Sequence, residues 1–83
     1  MIDKNVLADV IDAVKLFVPA GTPVQAETML LDAELIDSMN ILQIVVELEN
    51  RLGMSIGPLD IAFEDFSTPK RIAEAVTELR QQG

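Results

Sequence analysis

The order of apolar and polar positions along the chain predicts an all-helical protein. In three stretches apolar residues recur three and four positions apart, as on one face of a helix, and no stretch alternates with period two. The predicted helices run from Lys4 to about Val18, from Ser38 to about Leu52, and from Pro69 to a fraying end at Gln81-Gln82-Gly83. Their core-facing stripes are Leu7, Val10, Ile11, Val14, Phe17 and Val18; Ile41, Ile44, Val45, Leu48 and Leu52; and Ile72, Ala73, Val76 and Leu79.

Capping signals support these boundaries. Asp3 precedes the first helix and is its predicted N-cap. Arg51 lies in the last turn of the second helix, and Gly53 suits the left-handed residue that ends a helix. Thr68 followed by Pro69 places a capping residue before a proline at the first helical position, which is a strong helix start.

The connections hold the remaining apolar residues. Pro19, Gly21 and Pro23 break the first helix, and a long connection follows, with one helical turn possible from Thr28 to Ala33. We expect this connection to be pinned to the core by Met29, Leu30, Leu31, Leu35 and Ile36. After a turn from Ser55 to Pro58, a short helical segment is predicted from Leu59 to Asp65, with Ile61, Phe63 and Phe66 closing the core. The prediction is a single domain over 1–83, a bundle of three long helices and one short one.

The tripeptide Asp37-Ser38-Met39 opens the most apolar helix and is the main candidate site. The Asp37 side chain is expected to accept a backbone N–H two or three residues on, and its charge suits the positive end of the helix dipole. Ser38 is then exposed in the first turn, where an attached phosphate is favoured. Asp-Ser alone is also an ordinary way to start a helix, so the tripeptide by itself is a weak signal.

The outer face of the second helix carries two apolar residues where polar ones are expected. Met39 and Val46 share this face with amide and acidic side chains. Single exposed apolar residues are ordinary, but two of them beside Ser38 favour a surface that binds a partner. The predicted partner-binding residues are Met39, Gln43, Val46, Glu47 and Asn50.

Composition excludes several function classes. The 83 residues include no Cys and no His, which removes thiolate metal sites, disulfides and the commonest general base. A net charge of −8 argues against nucleic acid or an anionic membrane as the partner. No apolar stretch is long enough to span a bilayer, and no secretory signal precedes the fold, so we expect a cytoplasmic protein. We also expect it to be a monomer. Ser38 has no residue to make it a nucleophile, so it is predicted to be an attachment point, with no catalytic residue and no metal.

The charge is unevenly distributed. No basic residue lies between Lys15 and Arg51, whereas that interval contains Glu27, Asp32, Glu34, Asp37, Glu47 and Glu49. Such a field steers basic surfaces towards Ser38. The alternative interpretation is that these residues form a solvated face that maintains solubility. The charge distribution alone favours this alternative.

The whole chain resembles the phosphopantetheine-binding carrier proteins. The resemblance lies in three stretches: Leu35-Ile36-Asp37-Ser38-Met39, Val46-Glu47-Leu48-Glu49-Asn50-Arg51-Leu52-Gly53, and Glu64-Asp65-Phe66-Ser67-Thr68-Pro69. It implies an acyl-carrier-protein-like four-helix bundle in which Ser38 receives 4′-phosphopantetheine from coenzyme A. It also implies three kinds of partner: a phosphopantetheinyl transferase, an adenylating ligase or other acyl-loading enzyme, and a downstream acyltransferase or condensing enzyme.

Within that family the chain looks most like the free-standing aminoacyl carriers, such as D-alanyl carrier proteins and type II peptidyl carriers. Fatty-acid carriers usually have leucine after the serine and glutamate near the next turn, where this chain has Met39 and Gln43. A start at Met1 and an end soon after the last helix favour a free-standing carrier. The alternatives are a fatty-acid or polyketide acyl carrier and, from another class, a small acidic helical interaction domain. An enzyme is disfavoured, because pairs such as Glu47/Glu49 and Glu64/Asp65 have no base, metal ligand or pocket beside them.

Overall fold

Three α-helices make up most of the structure, a computed structural model that describes residues 3–57 and 59–82. They are α1 (Lys4–Lys15), α2 (Ser38–Leu52) and α3 (Pro69–Gln82). A single turn of 3₁₀ helix, Phe63–Phe66, lies before α3. The described residues contain no strand. The predicted all-helical class is therefore confirmed.

The predicted capping residues are present at the helix ends. Asp3 Oδ1 accepts the backbone N–H of Asn5 at 2.8 Å, and Thr68 Oγ1 accepts that of Arg71 at 3.1 Å. Gly53 ends α2 with φ of 63°, a left-handed conformation that glycine adopts at little cost. The starts of all three helices and the end of α2 thus lie where the sequence predicts them.

The other two helix ends differ from the prediction. The N–H groups of Leu16 and Phe17 bond to carbonyls three residues back, at 3.2 and 3.0 Å, so the last turn tightens and α1 ends at Lys15, short of Val18. Pro19 disfavours the helical conformation in the residue before it, which explains the early end. At the other end of the chain α3 is helical through Gln82, where the sequence predicts a fraying end, and Gly83 lies outside the described residues.

The core lies where α1 packs against α2 and α3. Its fully buried helical residues are Val6, Val10, Ala13 and Val14; Ile44 and Leu48; and Ile72, Ala73 and Val76. The buried stripe of α1 includes Val6 and Ala13, which the sequence prediction omits. Other predicted core residues are only partly buried: Leu7, Ile11, Phe17 and Val18; Ile41, Val45 and Leu52; and Leu79.

The long connection before α2 is pinned to the core, as expected, and it is also hydrogen-bonded to the start of α3. The Leu30 side chain is fully buried, and its N–H donates to the Ser67 carbonyl at 2.8 Å. The N–H of Lys70 donates to the Ala26 carbonyl, also at 2.8 Å. The prediction that Met29 helps to pin the connection to the core is wrong, because 57% of this residue is exposed.

The helical turn predicted over 28–33 is replaced by non-helical turns. The N–H groups of Leu35 and Ile36 both donate to the Leu30 carbonyl, at 2.9 and 3.4 Å, so the chain loops back on itself. Glu34 adopts a positive φ of 56°, which cannot continue a right-handed helix. This loop brings the buried Ile36 onto the core immediately before Asp37.

The short helix predicted over 59–65 is only the 3₁₀ turn at 63–66, so a four-helix bundle is not confirmed. Side chains bind the local backbone: Asp60 Oδ2 accepts the Gly57 N–H at 2.6 Å, and Asp65 Oδ2 accepts that of Ala62 at 3.1 Å. Such local bonds compete with helix formation. Ile61 and Phe66 are buried as predicted, but 57% of Phe63 is exposed, so it does not close the core. Pro58, the end of the predicted turn, lies outside the described residues.

Candidate functional site

Ser38 is the first residue of α2, and its neighbours form a reciprocal cap. Asp37 Oδ1 accepts the Asn40 N–H at 2.9 Å, and Asn40 Oδ1 accepts the Asp37 N–H at 3.1 Å. A helix start leaves about four N–H groups without intrahelical partners, and this pair satisfies two of them. The two that it leaves are the N–H groups of Ser38 and Met39, at the end of the helix where the dipole is positive.

The Ser38 side chain is exposed, and no hydrogen bond recorded among residues 3–57 and 59–82 involves its hydroxyl. An oxygen in this position is reachable by another protein. A phosphate attached to it would lie beside the N–H groups of Ser38 and Met39, in the favourable field of the helix dipole. The donor set at this helix end therefore fits a phosphodiester on Ser38.

The outer face of α2 is more apolar than the sequence analysis recognised. Met39 and Val46 are exposed by 69% and 56%, and Leu42 between them is exposed by 68%. Leu42 is missing from the predicted partner-binding residues. The spacing 39, 42, 46 is itself a helical stripe, so the signal was present in the sequence.

The polar residues predicted on that face differ in how they are used. Gln43 and Asn50 are exposed, and Gln43 Oε1 accepts a side-chain N–H of Asn40 at 3.1 Å. The Glu47 carboxylate is half-buried and lies 2.8 Å from Nε of Arg51. Arg51 also lies 3.9 Å from the carboxylate of Asp9 on α1. Glu47 thus forms an ion pair with Arg51 within α2, on the outer face of the helix.

A shallow depression lies between this face and the residues that follow α1. Phe17 lines one side, and Leu42 and Val46 line the other, with the polar Gln43 and Glu47 at its edge. Phe17 was predicted to be a core residue. It is only partly buried because its ring also borders this depression.

Two further features are absent from the part of the chain that the structure describes, a metal-binding cluster and a membrane-spanning helix. Within 3–57 and 59–82 no group of three or more acidic side chains is placed to hold a metal ion. Across the same ranges no helix is long and apolar enough to cross a membrane.

Comparison with known families shows to which family this chain belongs. The family model described as "Phosphopantetheine attachment site" matches residues 6–76, which include all of the site above. The chain belongs to the phosphopantetheine-binding carrier proteins. Its cofactor is therefore covalently attached 4′-phosphopantetheine, and the predicted resemblance is confirmed.

Similar carrier proteins occur in streptococci. The chain is 36% identical over 77 residues to the D-alanyl carrier protein of Streptococcus gordonii (strain Challis), a match that covers 92% of this chain and 96% of the relative. It is 32% identical over 76 residues to the D-alanyl carrier protein of Streptococcus sanguinis (strain SK36), with the same coverage. It is 35% identical over 77 residues to that of Streptococcus thermophilus (strain LMD-9), again over 92% and 96%.

Proposed function

We propose that this carrier protein holds its phosphopantetheine on Ser38 and transports D-alanine as a thioester on the arm. The observation that supports the attachment site is the exposed Ser38 hydroxyl at the capped start of α2, beside two backbone N–H groups that the cap does not use. A phosphodiester on that oxygen gains the hydrogen bonds and the dipole field without displacing any existing bond.

The arm supplies the one chemical group that the chain lacks. The sequence contains no Cys, so the protein has no thiol of its own for a thioester. In this proposal a phosphopantetheinyl transferase joins the Ser38 oxygen to the phosphorus nearest the pantetheine in coenzyme A. The diphosphate bond breaks, and adenosine 3′,5′-bisphosphate and the hydroxyl proton leave. The carrier itself catalyses none of these steps.

The proposed cargo rests on the relatives. They are D-alanyl carrier proteins, and the matches cover 96% of the length of those from S. gordonii and S. sanguinis, which supports a free-standing carrier for this chain as well. Two enzymes are then required besides the transferase: an adenylating ligase that loads D-alanine, and an acyltransferase that removes it. In the acyl-carrier-like arrangement that we propose, the 3₁₀ turn at Phe63–Phe66 takes the place of the short fourth helix.

The cargo is tested by loading the phosphopantetheine-bearing protein. The protein is incubated with ATP, a D-alanine-activating ligase from one of these streptococci, and either D-alanine or L-alanine, and its intact mass is recorded. We expect one alanyl group from D-alanine, released by hydroxylamine as a thioester is, and much less from L-alanine. Ser38→Ala, which cannot receive the arm, is the matched control. Equal loading of both isomers, or none from D-alanine, would contradict the proposed cargo.

A further inference from the structure

Glu34 adopts a backbone conformation that its residue type does not favour. Its φ is 56°, and within the described ranges 3–57 and 59–82 it is the one residue other than glycine with a positive φ. The other positive-φ residues there are Gly21 and Gly53. A left-handed conformation costs free energy in any residue with a Cβ, and glycine avoids that cost. The surrounding structure therefore holds Glu34 against its local preference.

The hydrogen bonds around Glu34 have the pattern of a Schellman motif. Its own N–H donates to the Leu31 carbonyl at 3.0 Å, and the N–H of Leu35 donates to the Leu30 carbonyl at 2.9 Å. This pattern requires a left-handed residue at position 34, and in most such motifs that residue is glycine. A right-handed Glu34 would turn the chain the other way and separate the Leu35 N–H from its acceptor.

The motif fixes the entry of the chain into α2 relative to the core. At its beginning Leu30 is fully buried, and the Leu30 N–H donates to the Ser67 carbonyl at 2.8 Å, just before α3. At its end Ile36 is buried and lies two residues before Ser38. The place of the Ser38 hydroxyl therefore depends on the left-handed turn between these two buried residues.

The side chain of Glu34 takes no part in holding the motif. It is exposed, and no hydrogen bond or ion pair recorded among residues 3–57 and 59–82 involves its carboxylate. The backbone of Glu34 is thus the part of this residue that acts on the start of α2.

We propose that Glu34 is a positioning residue for phosphopantetheine transfer, and that its left-handed backbone sets the place of the Ser38 oxygen. This inference rests on the proposed attachment of the arm to Ser38. The transferase must align that oxygen with a phosphorus atom of coenzyme A, and a displacement of about 1 Å can slow such a step about a hundredfold. Loss of the turn at Glu34 should therefore lower kcat and leave KM, which depends on the rest of α2, nearly unchanged.

The test compares three variants of position 34 as substrates of a broad-specificity phosphopantetheinyl transferase. Glu34→Gln is the reference, because it removes the charge and keeps an unbranched side chain. Glu34→Gly adopts the left-handed conformation freely, so its kcat should stay within about twofold of the reference. Glu34→Val disfavours that conformation because its side chain branches at Cβ. It should lower kcat about tenfold, with KM within about twofold.

Ala33→Val is the matched control, since Ala33 is exposed in the same loop and has no positive φ. Its kcat should stay within about twofold of the wild type. A kcat for Glu34→Val equal to that of the reference, or an equal loss from Ala33→Val, would overturn the positioning role. A wild type that the transferase leaves unmodified would instead overturn the proposed attachment site.

Amide hydrogen exchange is a second measurement, which does not require the valine variant to fold. Glycine removes the local cost of the left-handed turn, so the motif opens less often in Glu34→Gly than in the wild type. After correction for intrinsic rates, the Leu35 amide should exchange about threefold more slowly in the glycine variant. Equal or faster exchange would show that Glu34 is not held against its preference and would overturn the inference.

Discussion

Asp37 and Asn40 exchange two hydrogen bonds around Ser38, and this exchange sets the geometry of the proposed attachment site. Each side chain accepts the backbone N–H of the other residue, at 2.9 and 3.1 Å. Both bonds stay within one turn of α2, so they fix the helix start without covering the serine between them. Ser38 is therefore held in place by its neighbours while its own hydroxyl stays accessible.

Replacing Asp37 with Ala should lower the free energy of unfolding by about 1 kcal/mol, because the Asn40 N–H loses its acceptor and the helix dipole loses a favourable charge. Chemical denaturation followed by circular dichroism measures the change. Asp37→Asn is the matched control, since an amide oxygen still caps the helix and should retain most of the stability. Equal stability of the Ala variant and the wild type would show that the cap contributes nothing.

Thr77 is a second residue whose environment predicts how its substitution changes the stability of the fold. It is 7% exposed on the core side of α3, and its Oγ1 has no hydrogen-bond partner among the described residues. A buried hydroxyl without a partner costs free energy, and valine has the same shape without the hydroxyl.

Thr77→Val should therefore raise the free energy of unfolding by about 1 kcal/mol, measured by urea denaturation. Thr77→Ser keeps the hydroxyl and removes a buried methyl group, so it should lower that free energy by about 1 kcal/mol. A destabilised valine variant would mean that the hydroxyl has a partner in solution.

At the scale of elements, the connection from α1 to α2 is part of the core. Leu30 is fully buried and hydrogen-bonded to Ser67, whereas its neighbour Met29 is mostly exposed. The two residues look alike in the sequence, since both are apolar and adjacent in the same loop. The difference arises from tertiary packing, which periodicity within a loop does not encode.

Truncating the two side chains tests this difference. Leu30→Ala should lower the free energy of unfolding by about 2–5 kcal/mol because it leaves a cavity in the core. Met29→Ala should change it by less than about 0.5 kcal/mol because the residue faces solvent. Thermal unfolding of the two variants provides the comparison. A similar decrease in the free energy of unfolding for both variants would mean that Leu30 and Met29 are equally buried, in contradiction to the structure.

For the molecule as a whole, the sequence predicts the features that depend on local signals. The helix starts at Lys4, Ser38 and Pro69 follow from capping residues and periodicity, and the carrier family follows from motifs that span the chain. The 3₁₀ turn at Phe63–Phe66 does not follow, because its Asp65 carboxylate bonds both the local backbone and Arg71 of α3. The shallow depression lined by Phe17, Leu42 and Val46 was missed for a similar reason, since it joins Phe17 to a helix more than 20 positions away.

Intact mass measures directly whether Ser38 bears the phosphopantetheine arm. Wild-type protein and Ser38→Ala are each incubated with coenzyme A, Mg²⁺ and a broad-specificity phosphopantetheinyl transferase. We expect a gain of one phosphopantetheine on the wild type and none on the variant. A wild type that stays unmodified with several transferases, or a variant that gains the same mass, would contradict this expectation.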